Sequence, residues 1–384
     1  MKQPEIQRRE TRAVRVGPLV LGGGAPVTVQ SMTNTRTADA AATIAQVQRL
    51  AEAGAELVRV AVPTRADTAA LREIVSASPV PIAADVHFHF DRALEAIEGG
   101  AAKIRLNPGN LSDRDQVRRV IDAAADAGVA IRVGVNEGSV VERRDASRRA
   151  ADLTRPLDRL MVEKMAEYLD VFDEANFHEL VLSAKSHDAY TTVAANRLLA
   201  ERWDYPLHLG VTHAGTAETG AIRSAAALGA LLSEGVGDTI RISYAGDPVA
   251  EVEAALELLY SLRLRRRPGL ELIACPTCGR TQMDLAPIAE QVRAALADVD
   301  FPVTVAVMGC VVNGPGEAAN ADVAICAGKG KAAIYRAGRK LRTVPAADIV
   351  PAILAEVKAL RTAADSHPSP PRGSVRRRKG ARGQ

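Results

Sequence analysis

The sequence predicts an α/β protein in which a (β/α)8 barrel of the TIM type is followed by a small α+β domain. Short apolar segments alternate with helical segments from residue 27 to residue 262, and eight such repeats in roughly 250 residues are typical of this barrel. The pattern breaks at the charged segment 263–270 (RLRRRPGL), which we interpret as an interdomain linker. All four cysteines follow residue 274, which sets the last third of the chain apart.

Periodicity and composition assign the barrel elements in order. The predicted strands are 27–32, 56–62, 81–87, 102–107, 130–136, 179–185, 207–212 and 238–243. Helical spacing of Ala, Leu and Glu is found in segments such as 39–53, 66–76, 114–127, 158–176, 188–202, 216–234 and 247–262. The first 26 residues contain VRVGPLVLGGG, which is typical of a hairpin that closes the bottom of the barrel. A doubly wound open sheet is the alternative, but no GxGxxG segment follows the first strand.

The two faces of the predicted strands differ in character. Side chains alternate with period two along a strand, and one face is apolar, as at Val58 and Val60 or Ile131 and Val133. We expect that face to pack against the helices. The other face would point into the barrel and carries Gln30, Arg59, Asp85, His87, Lys103, Arg105, Asn107, Arg132, Asn136, Lys185, His208, Arg241 and Ser243.

This interior would hold six cations and one acid, Asp85. Burial of that much unpaired charge costs several kcal/mol per group, and a polyanionic ligand entering the C-terminal mouth would supply the missing partners. We therefore predict a phosphate or diphosphate site. The alternative is that some of these cations pair with acids on the loops or extend into solvent.

The second domain, 271–361, is predicted to follow the order β-α-β-β-β-α. Its predicted strands lie near 271–274, 302–308, 321–326 and 332–336, and its helices at 284–297 and 346–361. The remainder, 362–384, is rich in Pro, Ser, Gly and Arg and is expected to be disordered.

Composition narrows the class of protein. With 47% apolar and 25% charged residues, the chain is typical of a folded globular protein. No apolar run approaches the ~20 residues that span a bilayer, and the N-terminus lacks the apolar core of a secretory signal, so we expect a cytoplasmic protein. Segment 366–384 carries six Arg and Lys residues and no acid. The basic character is therefore a property of the tail, which argues against a body that binds nucleic acid.

The cysteine spacing indicates a metal centre. Cys275 and Cys278 are separated by two residues at the end of a predicted strand, and Cys310 follows the end of another. This spacing turns two sulfurs towards one centre. Spacing alone does not separate an iron–sulfur cluster from a structural zinc ion with Cys326 as the fourth ligand.

Six segments together resemble the 4-hydroxy-3-methylbut-2-enyl diphosphate synthase family in its short bacterial form. They are VQSMTNT (29–35), DVHF (85–88), RLNPGN (105–110), GVNEGS (134–139), ACPTCGR (274–280) and GCVVNGPGEA (309–318). The resemblance runs in order from about residue 8 to residue 361, and the last two segments are its most specific part.

The resemblance implies a reaction and a cofactor. The substrate would be 2-C-methyl-D-erythritol 2,4-cyclodiphosphate, and the products (E)-4-hydroxy-3-methylbut-2-enyl diphosphate and water. The two electrons would pass through one [4Fe–4S] cluster, held by Cys275, Cys278, Cys310 and Glu317. A carboxylate ligand is harder and more easily displaced from iron than a thiolate. Cys326 lies outside the family's ligand set and is expected to be a buried thiol.

The barrel residues then acquire expected roles. Substrate-binding roles are expected for Arg59, Arg105, Asn107, Arg132, Asn136, Lys185, Arg241 and Ser243, because guanidinium groups suit bidentate phosphate contacts. Asp85 and His87 lie two apart on one strand face, and we expect them to orient the substrate or to manage a proton. The chain has His213 where the family more often has Glu, and Glu218 is a nearby substitute.

The expected partners are an electron donor and a second copy of the chain. The family uses flavodoxin or ferredoxin, and the basic run Arg263, Arg265, Arg266 and Arg267 is a candidate dock, with a solvated linker as the alternative. The family also forms a head-to-tail homodimer, which implies composite active sites. Two other functions are weighed: a barrel enzyme without redox chemistry, similar to pterin-condensing synthases, with structural zinc, and a nucleic-acid or scaffold protein acting through its tail.

Overall fold

The computed structural model describes residues 5–86, 89–106, 113–140, 154–310, 312 and 314–366, without the side chains of 139, 317 and 363–366. Contacts divide the chain into two units, Met1–Arg265 and Arg266–Gln384. In the described ranges, no helix is both long and apolar enough to cross a membrane.

The first unit begins with a two-stranded antiparallel hairpin, β1 (Val14–Val16) and β2 (Leu19–Leu21). Eight parallel strands follow: β3 (Thr28–Met32), β4 (Leu57–Ala61), β5 (Ile82–Asp85), β6 (Lys103–Leu106), β7 (Ala130–Asn136), β8 (Leu180–Lys185), β9 (His208–Leu209) and β10 (Thr239–Ile240). They pair in sequence, with β10 between β3 and β9. A parallel bridge from Leu182 of β8 to Leu207 joins the remaining two edges, and the predicted TIM-type barrel is confirmed.

Helices cover the outside of this barrel. They are α1 (Ala40–Glu52), α2 (Arg65–Ala77), α3 (Phe90–Glu98), α4 (Arg114–Ala127), α5 (Glu137–Val140), α6 (Leu157–Glu174), α7 (Ala189–Arg202), α8 (Ala217–Ser233) and α9 (Pro248–Ser261). Several begin where an aspartate carboxylate accepts hydrogen bonds from free N–H groups of the first turn, as Asp39, Asp113, Asp188 and Asp247 do. Gly128 ends α4 in the left-handed conformation that favours glycine.

The last two barrel strands are shorter than predicted. Segments 207–212 and 238–243 contribute only two residues each to the regular ladder. Beyond them the backbone is held by more widely spaced hydrogen bonds. The N–H of Arg241 donates to the carbonyl of Leu209, and the N–H of Thr212 donates to the carbonyl of Ser186.

The bottom of the barrel is closed by apolar packing. Val14, Val16 and Leu21 of the hairpin form one buried cluster with the inward-facing residues near the strand beginnings, namely Leu57, Ala83, Ala130 and Val181. The hairpin prediction is therefore confirmed. The interior is mainly apolar at this end, although Lys103 and Gln30 lie in register with Ala83 and Leu57 there. The other inward polar residues lie toward the C-terminal ends of the strands, where TIM barrels bind ligands.

The second unit is a five-stranded mixed sheet with helices. Its strands are β11 (Leu270–Ala274), β12 (Val303–Met308), β13 (Val323–Gly328), β14 (Lys331–Arg336) and β15 (Arg339–Pro345), and its helices α10 (Ala286–Ala295), α11 (Gly314–Glu317) and α12 (Ile349–Ser366). β11, β12 and β13 are parallel, and β14 and β15 continue the sheet antiparallel. The prediction of four strands was wrong, because β15 (RKLRTVP) is a charged, exposed edge strand with no apolar pattern.

The boundary between the units lies after Arg265. The Arg265 side chain belongs to the barrel: Nη2 donates to the carbonyl of Val27 at 2.8 Å and to the Glu56 carboxylate at 2.5 Å. Arg265 belongs to the basic run that was proposed as a docking site for the electron donor, and its side chain is held by contacts within the barrel unit.

Candidate active site

The upper barrel interior brings together five of the predicted substrate-binding residues and one predicted catalytic residue. Asp85, Arg105 and Arg132 are register partners on the adjacent strands β5, β6 and β7. Arg59 lies on β4, Lys185 ends β8 and Arg241 follows β10. Apart from Arg241, which is partly exposed, each of these side chains is buried. The period-two alternation of the strands predicted this convergence.

Asp85 is the anion around which the first part of the site is organised. Its Oδ1 lies 3.1 Å from Nη1 of Arg105, and its Oδ2 lies 3.5 Å from Nε of Arg59. Both carboxylate oxygens thus face guanidinium groups. Arg59 also approaches the sulfur of Met32 at 2.9 Å. Burial and the neighbouring arginines lower the pKa of Arg59 to about 10, against the opposing effect of Asp85.

Arg132 forms no such close ion pair within the described ranges, although the charge of Asp85 partly offsets the effect of burial. It is 2% exposed, and its Nε and Nη1 have no hydrogen-bond partner among the described residues. Burial, followed by repulsion from Arg59 and Arg105, lowers its pKa well below the usual value. A buried donor without an acceptor is costly. An anionic ligand at this point would satisfy both nitrogens.

Arg241 has a partner that the sequence analysis missed. Glu251, in the first turn of α9, accepts a hydrogen bond from the N–H of Tyr244 at 2.9 Å and lies 3.5 Å from Nη2 of Arg241. Burial raises the pKa of Glu251. The interior therefore has a second acid, which sequence periodicity could not reveal because it comes from a helix and not from a strand.

The remaining predicted barrel residues vary in what can be described. Ser243 donates to the carbonyl of Val211 at 3.3 Å, and Asn136 is the register partner of Lys185. His87 and Asn107 lie outside the described residues. His213 is exposed with a φ of 52°, and Glu218 is exposed in the first turn of α8.

Three of the four cysteines of the second unit, Cys275, Cys278 and Cys310, line one pocket of about 310 Å3. Cys275 follows β11, and its N–H donates to Val307 on β12. Cys310 follows β12, and Cys278 is exposed in the intervening loop. Gly314, the first residue of α11, lines the same pocket. Glu317 ends α11, but its side chain is not described.

The electrostatics of this pocket favour a thiolate at Cys278. A hydrogen bond from the N–H of Arg280 lowers the pKa of the Cys278 thiol. Cys326 differs, because it is fully buried on β13 and burial raises its pKa to about 11. It packs with Ala306, Met308 and Ala324 behind the pocket. The prediction of a buried core thiol is confirmed.

The three cysteines of this pocket are a donor set that fits an iron–sulfur cluster. A cluster of four irons binds each thiolate at a different iron, so its ligands surround a pocket instead of meeting at a point. Three cysteines around the rim of one cavity satisfy that requirement.

The fold and the two sites define the class as a two-unit barrel protein. Its TIM-type barrel has a cationic interior, and its second unit has a cysteine-lined pocket. The chain belongs to the GcpE family: the GcpE TIM-barrel domain matches residues 11–256, and the GcpE protein C-terminal domain matches residues 271–359.

Curated relatives match nearly the whole chain. A protein of Geobacter sulfurreducens named "4-hydroxy-3-methylbut-2-en-1-yl diphosphate synthase (flavodoxin)" is 47% identical over 91% of this chain and 98% of its own length. A protein of the same name from Acidothermus cellulolyticus is 46% identical over 94% of this chain and 90% of its own length. The family resemblance drawn from the six segments is confirmed.

Solved structures are similar only in part. The dihydropteroate synthase of Yersinia pestis has a TM-score of 0.43 and 14% identity over 65% of this chain and 97% of its own. That of Xanthomonas albilineans has a TM-score of 0.44 and 16% identity over 65% of this chain and 98% of its own. At this level the likeness supports no conclusion about function.

Proposed function

We propose that this enzyme converts 2-C-methyl-D-erythritol 2,4-cyclodiphosphate to (E)-4-hydroxy-3-methylbut-2-enyl diphosphate and water by a two-electron reduction. The names of relatives with 45–47% identity support the reaction. The structural observation that supports it is the buried, unsatisfied guanidinium of Arg132 among other cations. No finding favours a pterin-type barrel enzyme with structural zinc.

The barrel interior binds the diphosphate. Arg132 presents two nitrogens that have no partner among the described residues, and Asp85 faces Arg59 and Arg105 beside it. Lys185 and Arg241 complete the cationic ring. The neutral donors Asn107, Asn136 and Ser243 hold the sugar-derived carbon skeleton or the phosphate oxygens. Each of these substrate-binding roles is the one that the sequence analysis predicts for the residue.

Asp85 acts chiefly by orienting its neighbours. Its two oxygens face Arg105 and Arg59, and a carboxylate stabilised by two cations is a poor proton acceptor. His87, two residues later in the sequence, is the better candidate for managing the proton. During the reaction one carbon–oxygen bond to the diphosphate breaks, and a hydroxyl group leaves as water after receiving a proton.

Cys275, Cys278, Cys310 and Glu317 would hold a [4Fe–4S] cluster. The pocket formed by the three cysteines and the nearby position of α11 support this assignment. When bound, the cluster supplies electrons one at a time. The residues themselves provide three thiolates and a carboxylate, and the carboxylate is the ligand most easily exchanged.

The electron donor would be flavodoxin or ferredoxin, in the cytoplasm. The relatives' names support flavodoxin. Four free cysteines, of which Cys278 is exposed, are compatible with a reducing compartment.

The active enzyme would be a homodimer in which the cluster unit of one copy serves the barrel of the other. Exposed apolar side chains near both sites support this proposal. Tyr190 and Ile222 lie in the early turns of α7 and α8, at the mouth side of the barrel, and are 80% and 66% exposed. Ile273 lines the cysteine pocket, and Val312 follows Cys310 by two residues in the sequence; they are 40% and 71% exposed. An interface at these two places would remove these apolar side chains from water.

Anaerobic turnover of the cyclodiphosphate with an artificial reductant tests the reaction. We expect a brown protein with broad absorbance near ~400 nm, as iron–sulfur clusters show, and reductant-dependent product. A colourless protein with stoichiometric zinc and no turnover would contradict the proposal. Removal of 366–384 should leave activity unchanged, and a loss of activity would indicate a role for the tail.

The cluster ligands are tested by single substitutions. Cys275→Ser, Cys278→Ser and Cys310→Ser should each remove the cluster and the activity, because each loses a soft thiolate ligand. Cys326→Ser should keep both. Iron content and absorbance of anaerobically purified protein measure the outcome. Equal cluster loss in Cys326→Ser would indicate a four-cysteine site and overturn the assignment of Glu317.

A further inference from the structure

Lys185 and His208 form a buried pair at the centre of the barrel. Nζ of Lys185, at the end of β8, lies 3.1 Å from Nε2 of His208 on β9. The two residues are 6% and 0% exposed. Gly210, the next inward position after His208, leaves room for the amine, since a Cβ there would lie 2.6 Å from Nζ. The segment that follows Leu207 thus gives the Lys185 amine both a hydrogen-bond partner and the space that it occupies.

The charged groups around this pair are mainly positive. Lys185 faces guanidinium groups from four strands or strand ends: Arg132 of β7, Arg59 of β4, Arg241 after β10 and Arg105 of β6. His208 also faces Lys103 of β6. Glu251 of α9 interacts electrostatically with Lys185, but its two oxygens lie against Arg241 and Tyr244. Asp85 of β5 lies against Arg59 and Arg105.

Within the described ranges, the hydrogen-bond partner of the Lys185 amine is His208, and no carboxylate lies within ion-pair distance of it. Nδ1 of His208 has no partner among the same residues. An ammonium group at this place would be desolvated, unpaired and repelled by four other cations. That state costs several kcal/mol.

We propose that Lys185 and His208 are both uncharged in the empty barrel, and that Lys185 takes up one proton from solvent when the cyclic diphosphate binds. His208 is a positioning residue that holds the amine by accepting its hydrogen bond. This inference rests on the proposed function, because it needs a diphosphate ligand. Burial, together with the neighbouring cations, lowers the pKa of Lys185 and of His208 well below their usual values, which supports the uncharged state.

The cyclic diphosphate has no group that titrates near neutral pH, so the number of protons taken up on binding can be assigned to the protein. Each phosphorus of the cyclic diphosphate is bonded to carbon-bound and bridging oxygens and carries one strongly acidic hydroxyl. The ligand is therefore a dianion throughout the neutral range and exchanges no proton on binding. Inorganic pyrophosphate titrates in that range and would confuse the measurement. Any proton that accompanies binding of the cyclodiphosphate must be taken up by the protein.

Isothermal titration calorimetry tests this proposal. The cyclodiphosphate is titrated anaerobically into the cluster-loaded full chain, without reductant, in buffers of different ionisation enthalpy at about pH 7.5. We expect the wild-type protein to take up close to one proton. Lys185→Met should bind about tenfold or more weakly and take up none. Lys103→Met, which removes a deeper lysine, should retain the uptake.

His208 is tested by a matched pair of substitutions. His208→Gln keeps an acceptor within reach of Lys185, whereas His208→Phe keeps the ring volume but has none. We expect His208→Gln to preserve both proton uptake and the pH dependence of KM. His208→Phe should raise KM about tenfold and displace its pH profile, with a smaller change in kcat. Equal behaviour of the two variants would overturn the positioning role.

The outcomes separate this inference from the proposed function. Tight binding by the wild-type protein without proton uptake would overturn the inference and leave the function intact. Uptake that persists in Lys185→Met would assign the proton to another group and also overturn it. Failure of the wild-type protein to bind the cyclodiphosphate would overturn the proposed function and the inference together. The wild-type measurement needs no variant, so it decides even if a variant does not fold.

Discussion

Arg132 is predicted to serve ligand binding at the expense of the stability of the ligand-free protein. It is buried, and two of its nitrogens lack partners among the described residues. We predict that Arg132→Met raises the thermal unfolding temperature of the ligand-free protein, because a buried charge with two unpartnered nitrogens in the described ranges is replaced by an apolar side chain of similar length. The same variant should bind the cyclodiphosphate about 1.5–3 kcal/mol more weakly, the scale of one charge-assisted contact.

Arg241→Met is the matched control for this trade-off. Arg241 has Glu251 as a partner, so its removal leaves a buried carboxylate without its cation. We expect weaker binding together with a lower unfolding temperature. Scanning calorimetry and ligand titration measure both quantities. If Arg132→Met destabilised the ligand-free protein as Arg241→Met does, Arg132 would be satisfied in the empty barrel and the argument would fail.

Lys103 gives a pH dependence of known sign. It is 1% exposed, donates to Oε1 of Gln30 at 2.9 Å, and has a pKa well below its usual value because of burial and the nearby Arg132 and Arg59. The unfolded chain therefore binds more protons than the folded one between the lowered pKa and the ordinary value of about 10.4. Stability rises with pH across this window and is lost as pH falls through it.

We predict that Lys103→Met raises the unfolding temperature at neutral pH, and that this gain shrinks as the pH approaches about 10. Thermal unfolding followed by circular dichroism at several pH values measures the difference. The exposed Lys358 on α12 provides the control, since Lys358→Met should show no such pH dependence. A gain for Lys103→Met that is the same at every pH would mean that Lys103 keeps its proton on folding.

At the scale of secondary structure, Gly314 controls how α11 packs against β13. A Cβ at this position would lie 2.7 Å from the sulfur of Cys326 and 3.2 Å from the Cβ of Met308. We predict that Gly314→Ala displaces the start of α11, which carries Glu317, and lowers the iron content of anaerobically purified protein. Gly316→Ala should retain the cluster, because a Cβ there meets nothing within 4 Å.

Cys326→Ala should partly rescue Gly314→Ala, since it removes the sulfur that the new methyl group contacts. The closest remaining contacts would be at 3.2 Å, which small shifts can relieve. Iron analysis of the single and double variants decides the outcome. Equal iron content in Gly314→Ala and in the wild-type protein would show that the loop accommodates the methyl group without moving a ligand.

The elements that were predicted correctly are those governed by local pattern. The strands of the barrel alternate apolar and polar residues, so strand parity alone places Arg59, Asp85, Arg105, Arg132 and Lys185 on one inward face. The strand β15 could not be predicted in this way, because its pairing with β14 depends on backbone hydrogen bonds at an exposed edge. Glu251 could not either, since its approach to Arg241 depends on how α9 packs.

The contacts of Lys185 illustrate the same limit within the site. Its inward position follows from strand parity, but the hydrogen bond to His208 and the space left by Gly210 depend on the register between β8 and the segment after Leu207. Register between strands that are distant in sequence is set by tertiary packing and is not encoded in either segment alone. The sequence therefore indicated the cations, and the structure supplied their partners.

At the scale of the whole molecule, the two predicted sites belong to separate units. The cationic site lies in the barrel, and the three cysteines lie in the second unit. Under the proposed function, reduction of a barrel-bound substrate would require both sites. Two copies of the chain can meet this requirement if each contributes one unit to each site, and twofold pairing of this kind gives two equivalent sites. The exposed Tyr190, Ile222, Ile273 and Val312 would then be covered.

We predict that two inactive variants complement each other in a heterodimer. One carries Arg132→Ala and Asp85→Asn, which disable the barrel, and the other carries Cys310→Ser, which disables the cluster. In the heterodimer, one composite site would combine the intact barrel of one copy with the intact cluster unit of the other. Activity per dimer should recover to about half of the wild-type value, because the second composite site contains both defects.

The heterodimer must be isolated with two different affinity tags, and each variant homodimer must be inactive under the same conditions. Iron content should be half that of the wild-type dimer, which confirms the composition independently of activity. Recovery requires that a barrel and a cluster unit from different chains work together, since neither chain contains a complete pair. If verified heterodimers show no activity although both variants are folded, each chain must close its own site, and the domain exchange that motivates the dimer would be excluded.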